Sequence, residues 1–143
     1  MIEIFTIGFT KKTAEQFFTQ LKQSQIKRVV DIRLNNSSQL AGFTKKEDLK
    51  FFLREICQLD YLHLPELAPT KIILDHYKQQ KNWQIYEQQF TTLLTQRHIE
   101  TFDKNLIHQS GLLCSENSPQ YCHRRLVAEY FSHHWKTVTI HHL

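Results

Sequence analysis

Short apolar runs alternate with capped amphipathic segments along nearly the whole chain. This alternation constrains the fold more than any other feature. Residues 2–7 (Ile-Glu-Ile-Phe-Thr-Ile) read as a buried strand stopped by Gly8. A capping box, Thr13-Ala-Glu-Gln16, then opens a helix whose Ala14, Phe17, Phe18 and Leu21 lie on one face. Residues 28–32 form the second strand. Thr44 and Glu47 make another box ahead of a helix carrying Leu49, Phe52, Leu53 and Ile56. The third strand is expected at residues 61–64, after which Pro65 and Pro69 hold the chain extended. From 70 to about 97 the pattern is helical twice over, with Asn82 as the cap between the two pieces. Residues 111–115 form the fourth strand. Ser118-Pro119 supplies an N-cap and an N1 proline for a helix to about 134, and residues 137–141 close as a fifth strand.

Strands joined through helices require crossovers, which are right-handed and give parallel pairing. The expected fold is therefore a three-layer α/β domain. It has a mainly parallel five-stranded sheet with helices on both faces, in the usual doubly wound order 3-2-1-4-5. A length of 143 residues fits one domain over 1–143, and 41% hydrophobic with 22% charged residues is a globular balance. No window approaches the roughly 20 apolar residues of a membrane span, and the start lacks the basic and cleavage features of a leader. A cytoplasmic protein without membrane contact is expected. Three cysteines (57, 114 and 122) point to reduced thiols rather than a disulfide framework. The net charge of +4 permits an anionic partner but is weak as a nucleic-acid signal.

Ligands of open parallel sheets sit at the carboxyl ends of the strands. That rim presents Gly8, Phe9 and Thr10 after the first strand, Asp31 and Arg33 after the second, and Cys114, Ser115 and Glu116 after the fourth. It also receives the start of the last helix, with Cys122, His123 and Arg124, where free N–H groups and the macrodipole favour an anion. Arg124 is the expected anion clamp, because a guanidinium matches phosphate or carboxylate bidentately. A helix start lowers a thiol pKa, so Cys122 is a candidate nucleophile alongside Cys114, against the alternative that both are packing thiols. Glu116 and His123 are candidate proton carriers. Cys114, Cys122 and His123, with His63 or His141 brought in by the fold, could supply four zinc ligands. The interval Ser-Glu-Asn-Ser-Pro-Gln-Tyr, however, is longer than the usual two to four residues between zinc cysteines, so neither a metal nor a cofactor is expected.

Thr6-Ile-Gly-Phe-Thr10, Asp31-Ile-Arg33 and Leu112-Leu-Cys-Ser-Glu-Asn-Ser-Pro-Gln-Tyr-Cys-His-Arg124 resemble the signatures of the DUF488 family, over nearly the whole chain. The most specific element is Leu-Cys-x-Glu followed by Cys-His-Arg. Where many relatives have Tyr-Ser or His-Ser after the first glycine and a Pro-x-Ser loop, this chain has Phe9-Thr10 and Asn35-Asn-Ser37. The resemblance implies an α/β fold and a motif set but no reaction. It marks the positions that topology selects, with Asn35 and Ser37 added as binding positions.

The leading expectation is a phosphate-bearing ligand, a nucleotide or nucleic-acid end, held by Arg124 and the last helix start. Gly8, Thr10, Asp31, Arg33, Asn35 and Ser37 complete the binding set. In a hydrolase or transferase, Cys114 or Cys122 would be the nucleophile, Glu116 or His123 the proton carrier, and Asp31 with Arg33 the positioning pair. The rivals are a non-catalytic nucleic-acid-binding module using lysines 11, 12, 45, 46 and 71, and a thiol redox or protein-interaction domain using Cys114 and Cys122.

Overall fold

The computed structural model of the chain describes residues 1–36, 42–116 and 118–143. Five strands form one parallel sheet: β1 (Ile2–Gly8), β2 (Arg28–Asp31), β3 (Asp60–His63), β4 (Ser110–Cys114) and β5 (Val138–His142). Each falls within a residue or two of the apolar run that marks it in the sequence.

The spatial order is β3-β2-β4-β1-β5, which corrects the expected 3-2-1-4-5 by exchanging β4 and β1. Side-chain chemistry explains the exchange. β1 carries Glu3 and Thr6, which need polar partners, and the edge strand β5 supplies them. His141 Nε2 lies 3.2 Å from Glu3 Oε1, and His142 Nδ1 lies 2.6 Å from Thr6 Oγ1.

Six helices among the described residues clothe the sheet: α1 (Ala14–Gln23), α2 (Lys46–Phe52), α3 (Lys71–Gln80), α4 (Trp83–Gln96), α5 (Lys104–Ile107) and α6 (His123–His134). Strand residues alternate between faces. On one face, Phe5, Ile7, Val29 and Leu113 pack with Phe17, Phe18 and Leu21 of α1 and Leu49 of α2. On the other, Ile4, Val30 and Leu112 pack with Phe90 and Leu94 of α4 and Val127 and Phe131 of α6. The connections leaving β1 and β2 cover the first face and those leaving β3 and β4 the second. The chain after β4 therefore departs to the opposite face from the chains after both of its neighbours. This reversal opens a crevice at the carboxyl end of β4.

The cap signals are met unevenly. Thr13 forms its box with Gln16, through bonds of 2.9 and 3.1 Å. Asn82 caps α4 by accepting from the Ile85 N–H. The expected box at Thr44 and Glu47 does not form: Thr44 is buried in a short turn, its carbonyl accepts from Arg33 Nη2, and Lys45 takes the cap position. The last helix also starts later than Ser118-Pro119 suggests. Those residues form a turn, with the Cys122 N–H donating to the Pro119 carbonyl, and the extended Cys122 is the N-cap of α6. A serine–proline pair suits a turn as well as a helix start, and local sequence does not separate the two.

Candidate functional site

The crevice beyond β4 is a cavity of about 470 Å³. Its floor comes from β4 and the start of α6, with Cys114, Cys122 and His123 all lining it. One side comes from the chain after β2, through Arg33, Leu34 and Asn35, with Phe9 from the end of β1. The opposite wall is aromatic, formed by Tyr77 of α3 and by Trp83 and Tyr86 of α4. Tyr121 packs edge-on against Trp83, their ring centroids 5.5 Å apart.

The three floor residues are almost wholly enclosed by protein: Cys114 is 5% exposed, Cys122 3% and His123 6%. His123 Nε2 donates to the Ile32 carbonyl at 2.6 Å, which assigns the ring proton to Nε2 and leaves Nδ1 as an acceptor. Nδ1 lies 3.4 Å from Cys114 Sγ. A hydrogen bond from the Cys122 thiol, joined by the neighbouring imidazole, holds Cys114 well below the ordinary thiol value in spite of its burial. Burial, reinforced by the Cys114 sulfur, pushes the Cys122 thiol up. At His123 burial pulls downward, but the adjacent Cys114 sulfur outweighs it and the ring stays above 6.5. The three donor atoms all lie within 4.8 Å of one another, so the fold assembles a Cys₂His set that linear spacing argued against.

Asp31 and Arg33 form a buried fork beside this floor. Asp31 is fully buried, and its carboxylate accepts from Arg33 Nε (2.9 Å) and Nη2 (2.8 Å), from the Arg33 N–H, and from the Tyr61 hydroxyl at 2.5 Å. Burial and then this bond raise the Tyr61 pKa, so the hydroxyl stays a donor. His63 Nε2 bonds the Arg33 carbonyl at 2.8 Å, and the guanidinium lies over the Phe9 ring at 5.3 Å. Arg33 is thus fixed from several sides, yet its Nη1 is buried with no hydrogen-bond partner among the described residues.

Arg124 occupies a different position from that expected of an anion clamp. It is fully buried and does not line the cavity; its Nη1 donates to the Glu116 carbonyl at 2.5 Å. That bond ties the loop after β4 to the first turn of α6. Gly8 makes it possible, because a Cβ there would run into the Glu116 carbonyl and into Arg124 Nη1. Arg124 and Gly8 therefore position the loop, and Arg33 is the guanidinium at the cavity.

Among the other sequence candidates, Thr10 is half-buried and donates its N–H to the Ser115 carbonyl. Glu116 and Asn35 lie at the exposed margin of the cavity. Ser37 lies outside the described residues. Sequence reasoning placed residues 83–97 in a helix without giving that helix a part in the site, although Tyr86 of the core and Trp83 packed against it also form the aromatic wall, and it missed Tyr61 and His63 as the supports of the Asp31–Arg33 fork. One signal pointed to the wall: these rings cluster where strand–helix alternation pauses, between the third and fourth strands.

The fold and its site define an open parallel α/β domain with a buried thiol–imidazole cluster at the carboxyl rim of its sheet. A family model, the domain of unknown function DUF488, matches residues 13–131. The chain belongs to that family. The match takes in Asp31, Arg33, Cys114, Glu116, Cys122, His123 and Arg124, whereas Gly8 and Thr10 precede it. No curated protein and no solved structure matches the chain. Among the described residues no helix is long and apolar enough to cross a membrane.

Proposed function

We propose that the cavity binds a small phosphate-bearing molecule with a planar ring, such as a nucleotide or a nucleic-acid end, and that its floor carries hydrolytic or group-transfer chemistry on that ligand. The observation that carries this reading is Arg33, a buried guanidinium of a cavity-lining residue whose Nη1 amino group has no partner among the described residues, while Asp31 and the Thr44 carbonyl hold its other nitrogens. A buried donor without an acceptor is costly, and an anionic oxygen satisfies it. The Tyr77, Trp83 and Tyr86 wall supplies aromatic surface for a flat ring, in a cavity of about 470 Å³ that suits a ligand of nucleotide size.

The test is calorimetric titration of nucleoside mono- and diphosphates and of inorganic phosphate at low salt, on wild type, Arg33→Lys and Trp83→Ala. Nucleotides should bind better than phosphate alone, Trp83→Ala should remove that preference, and Arg33→Lys should weaken both. Absence of any nucleotide affinity tighter than about 1 mM overturns the reading.

A second reading is favoured by the 3.4 Å approach of Cys114 Sγ to His123 Nδ1 at the cavity floor. Here Cys114 is a nucleophile. His123 takes the thiol proton as sulfur bonds to the electrophilic centre of the ligand, and it returns that proton to the departing group. Water then displaces the sulfur, releasing the product and restoring the thiol. Faster iodoacetamide alkylation of Cys114 than of Cys57, blocked by a bound nucleotide, is the expected result. Alkylation at the rate of an ordinary buried thiol, with or without nucleotide, overturns it.

A further inference from the structure

We propose that Cys114, Cys122 and His123 hold one zinc ion whose fourth coordination position opens into the cavity. This goes beyond the ligand reading and stands without it, on the donor set alone; it replaces the nucleophile reading, because zinc takes the Cys114 sulfur and the His123 Nδ1 lone pair.

Two thiol sulfurs and one ring nitrogen lie mutually within 4.8 Å. A tetrahedral zinc with Zn–S of about 2.3 Å and Zn–N of about 2.0–2.1 Å requires S···N separations of about 3.6 Å and S···S of about 3.8 Å. The Cys114 Sγ to His123 Nδ1 distance of 3.4 Å already matches such an edge. Against the 4.8 Å limit the remaining edges need at most about 1.2 Å of closure.

The imidazole is oriented as metal-bound imidazoles are. Nε2 is committed to the Ile32 carbonyl at 2.6 Å, so the lone pair of Nδ1 faces the sulfurs. The backbone solves the difficulty that neighbouring residues of a helix diverge by about 100°. Cys122 is the N-cap, extended at φ −135° and ψ 142°, and this brings its side chain to the same point as that of His123, the first residue of α6. β4 delivers Cys114 from the other side, and the Arg124 bond to the Glu116 carbonyl holds the intervening loop in place.

The protein supplies three donors, and all three residues line the cavity, which leaves one direction for water or a ligand oxygen. Two thiolates with one neutral imidazole balance the charge of a divalent ion, and a soft S₂N donor set favours zinc over magnesium or calcium.

The test uses the full chain, expressed with zinc in the medium, purified without chelator and assayed for metal by mass spectrometry. The expected result is close to one zinc per chain in wild type and in Cys57→Ser, falling at least tenfold in Cys114→Ser and Cys122→Ser. Cobalt substitution of wild type should give a sulfur-to-cobalt charge-transfer band and tetrahedral d–d absorption. That spectrum keeps the test decisive if a serine variant fails to fold. Wild type that retains no zinc at micromolar free metal overturns the proposal, as does cobalt absorption without the charge-transfer band. Nucleotide titration of chelator-treated protein separates the two ideas. Binding through Arg33 and Trp83 persists there if only the zinc assignment fails, and is missing from metal-loaded and stripped protein alike if the ligand reading fails.

Discussion

Gly8→Ala tests how the loop after β4 is held. No glycine of the chain has a positive φ, so the change introduces no left-handed strain and its cost is one of space. The new Cβ would collide with the Glu116 carbonyl carbon and the Arg124 guanidinium, each 2.7 Å away, and more severely with the Glu116 carbonyl oxygen. Backbone and a fully buried arginine cannot step aside as the tip of a flexible side chain can. Forcing a methyl into such a site costs about 1–3 kcal/mol. Displacing Arg124 Nη1 from its carbonyl adds about 1.5–3 kcal/mol, the range for hydrogen bonds to charged groups. The expected loss is therefore about 2.5–6 kcal/mol, a large share of the roughly 5–15 kcal/mol of a typical domain. Urea unfolding followed by circular dichroism should show the midpoint falling by more than about 1 M at unchanged slope. Gly42→Ala is the control: nothing lies within 4 Å of its Cβ position, and a change within about 0.5 kcal/mol is expected. Gly8→Ala unfolding within 0.5 kcal/mol of wild type, a margin set by ordinary surface changes, would refute the reasoning.

The remaining predictions concern the buried Asp31–Arg33 fork and His142 at the exposed end of β5. Asp31→Ala strips the Arg33 guanidinium of its carboxylate inside the protein and should cost about 3–5 kcal/mol. Tyr61→Phe removes one bond to the same carboxylate and should cost about 1.5–3 kcal/mol. Equal midpoints for the two variants and wild type would show that the fork contributes nothing to stability. For His142, burial and then Arg124 lower the pKa below 6.5, so the unfolded chain takes up a proton more readily than the folded one. Its contribution to stability is complete above 6.5 and is lost as pH falls through that value towards the folded pKa. Stability measured from pH 7.5 to 5 should therefore decline less steeply in His142→Gln than in wild type, and parallel curves would contradict the assignment.

Much of the architecture is legible in the sequence because short-range physics writes it there. Short apolar runs mark the strands, β-branched in β1, β2 and β5 and leucine-bearing in β3 and β4, and Thr13 and Asn82 close their helix caps as their types require. The same local signals mislead at Thr44 and at Ser118-Pro119, where a buried carbonyl contact and a turn take the groups that a cap would use. The candidate site divides in the same way. Asp31, Arg33, Cys114, Cys122 and His123 can be picked out from their places at strand ends and at a helix start. Which guanidinium faces the cavity cannot, because Arg33 and Arg124 differ only in what surrounds them once the chain has folded.

By itself the sequence determined the kind and order of the elements, a parallel sheet covered on both faces, and the rim where polar chemistry collects. Periodicity, caps and crossover handedness operate over a few residues or a single βαβ unit. The tertiary structure alone decided that β4 lies between β2 and β1, that Arg124 is sealed against Gly8 while Arg33 meets the cavity, that α3 and α4 raise an aromatic wall, and that two thiols eight positions apart converge on one imidazole. Each of these is a relation between distant segments, fixed by burial and by the partnering of polar groups, and neither acts until those segments meet.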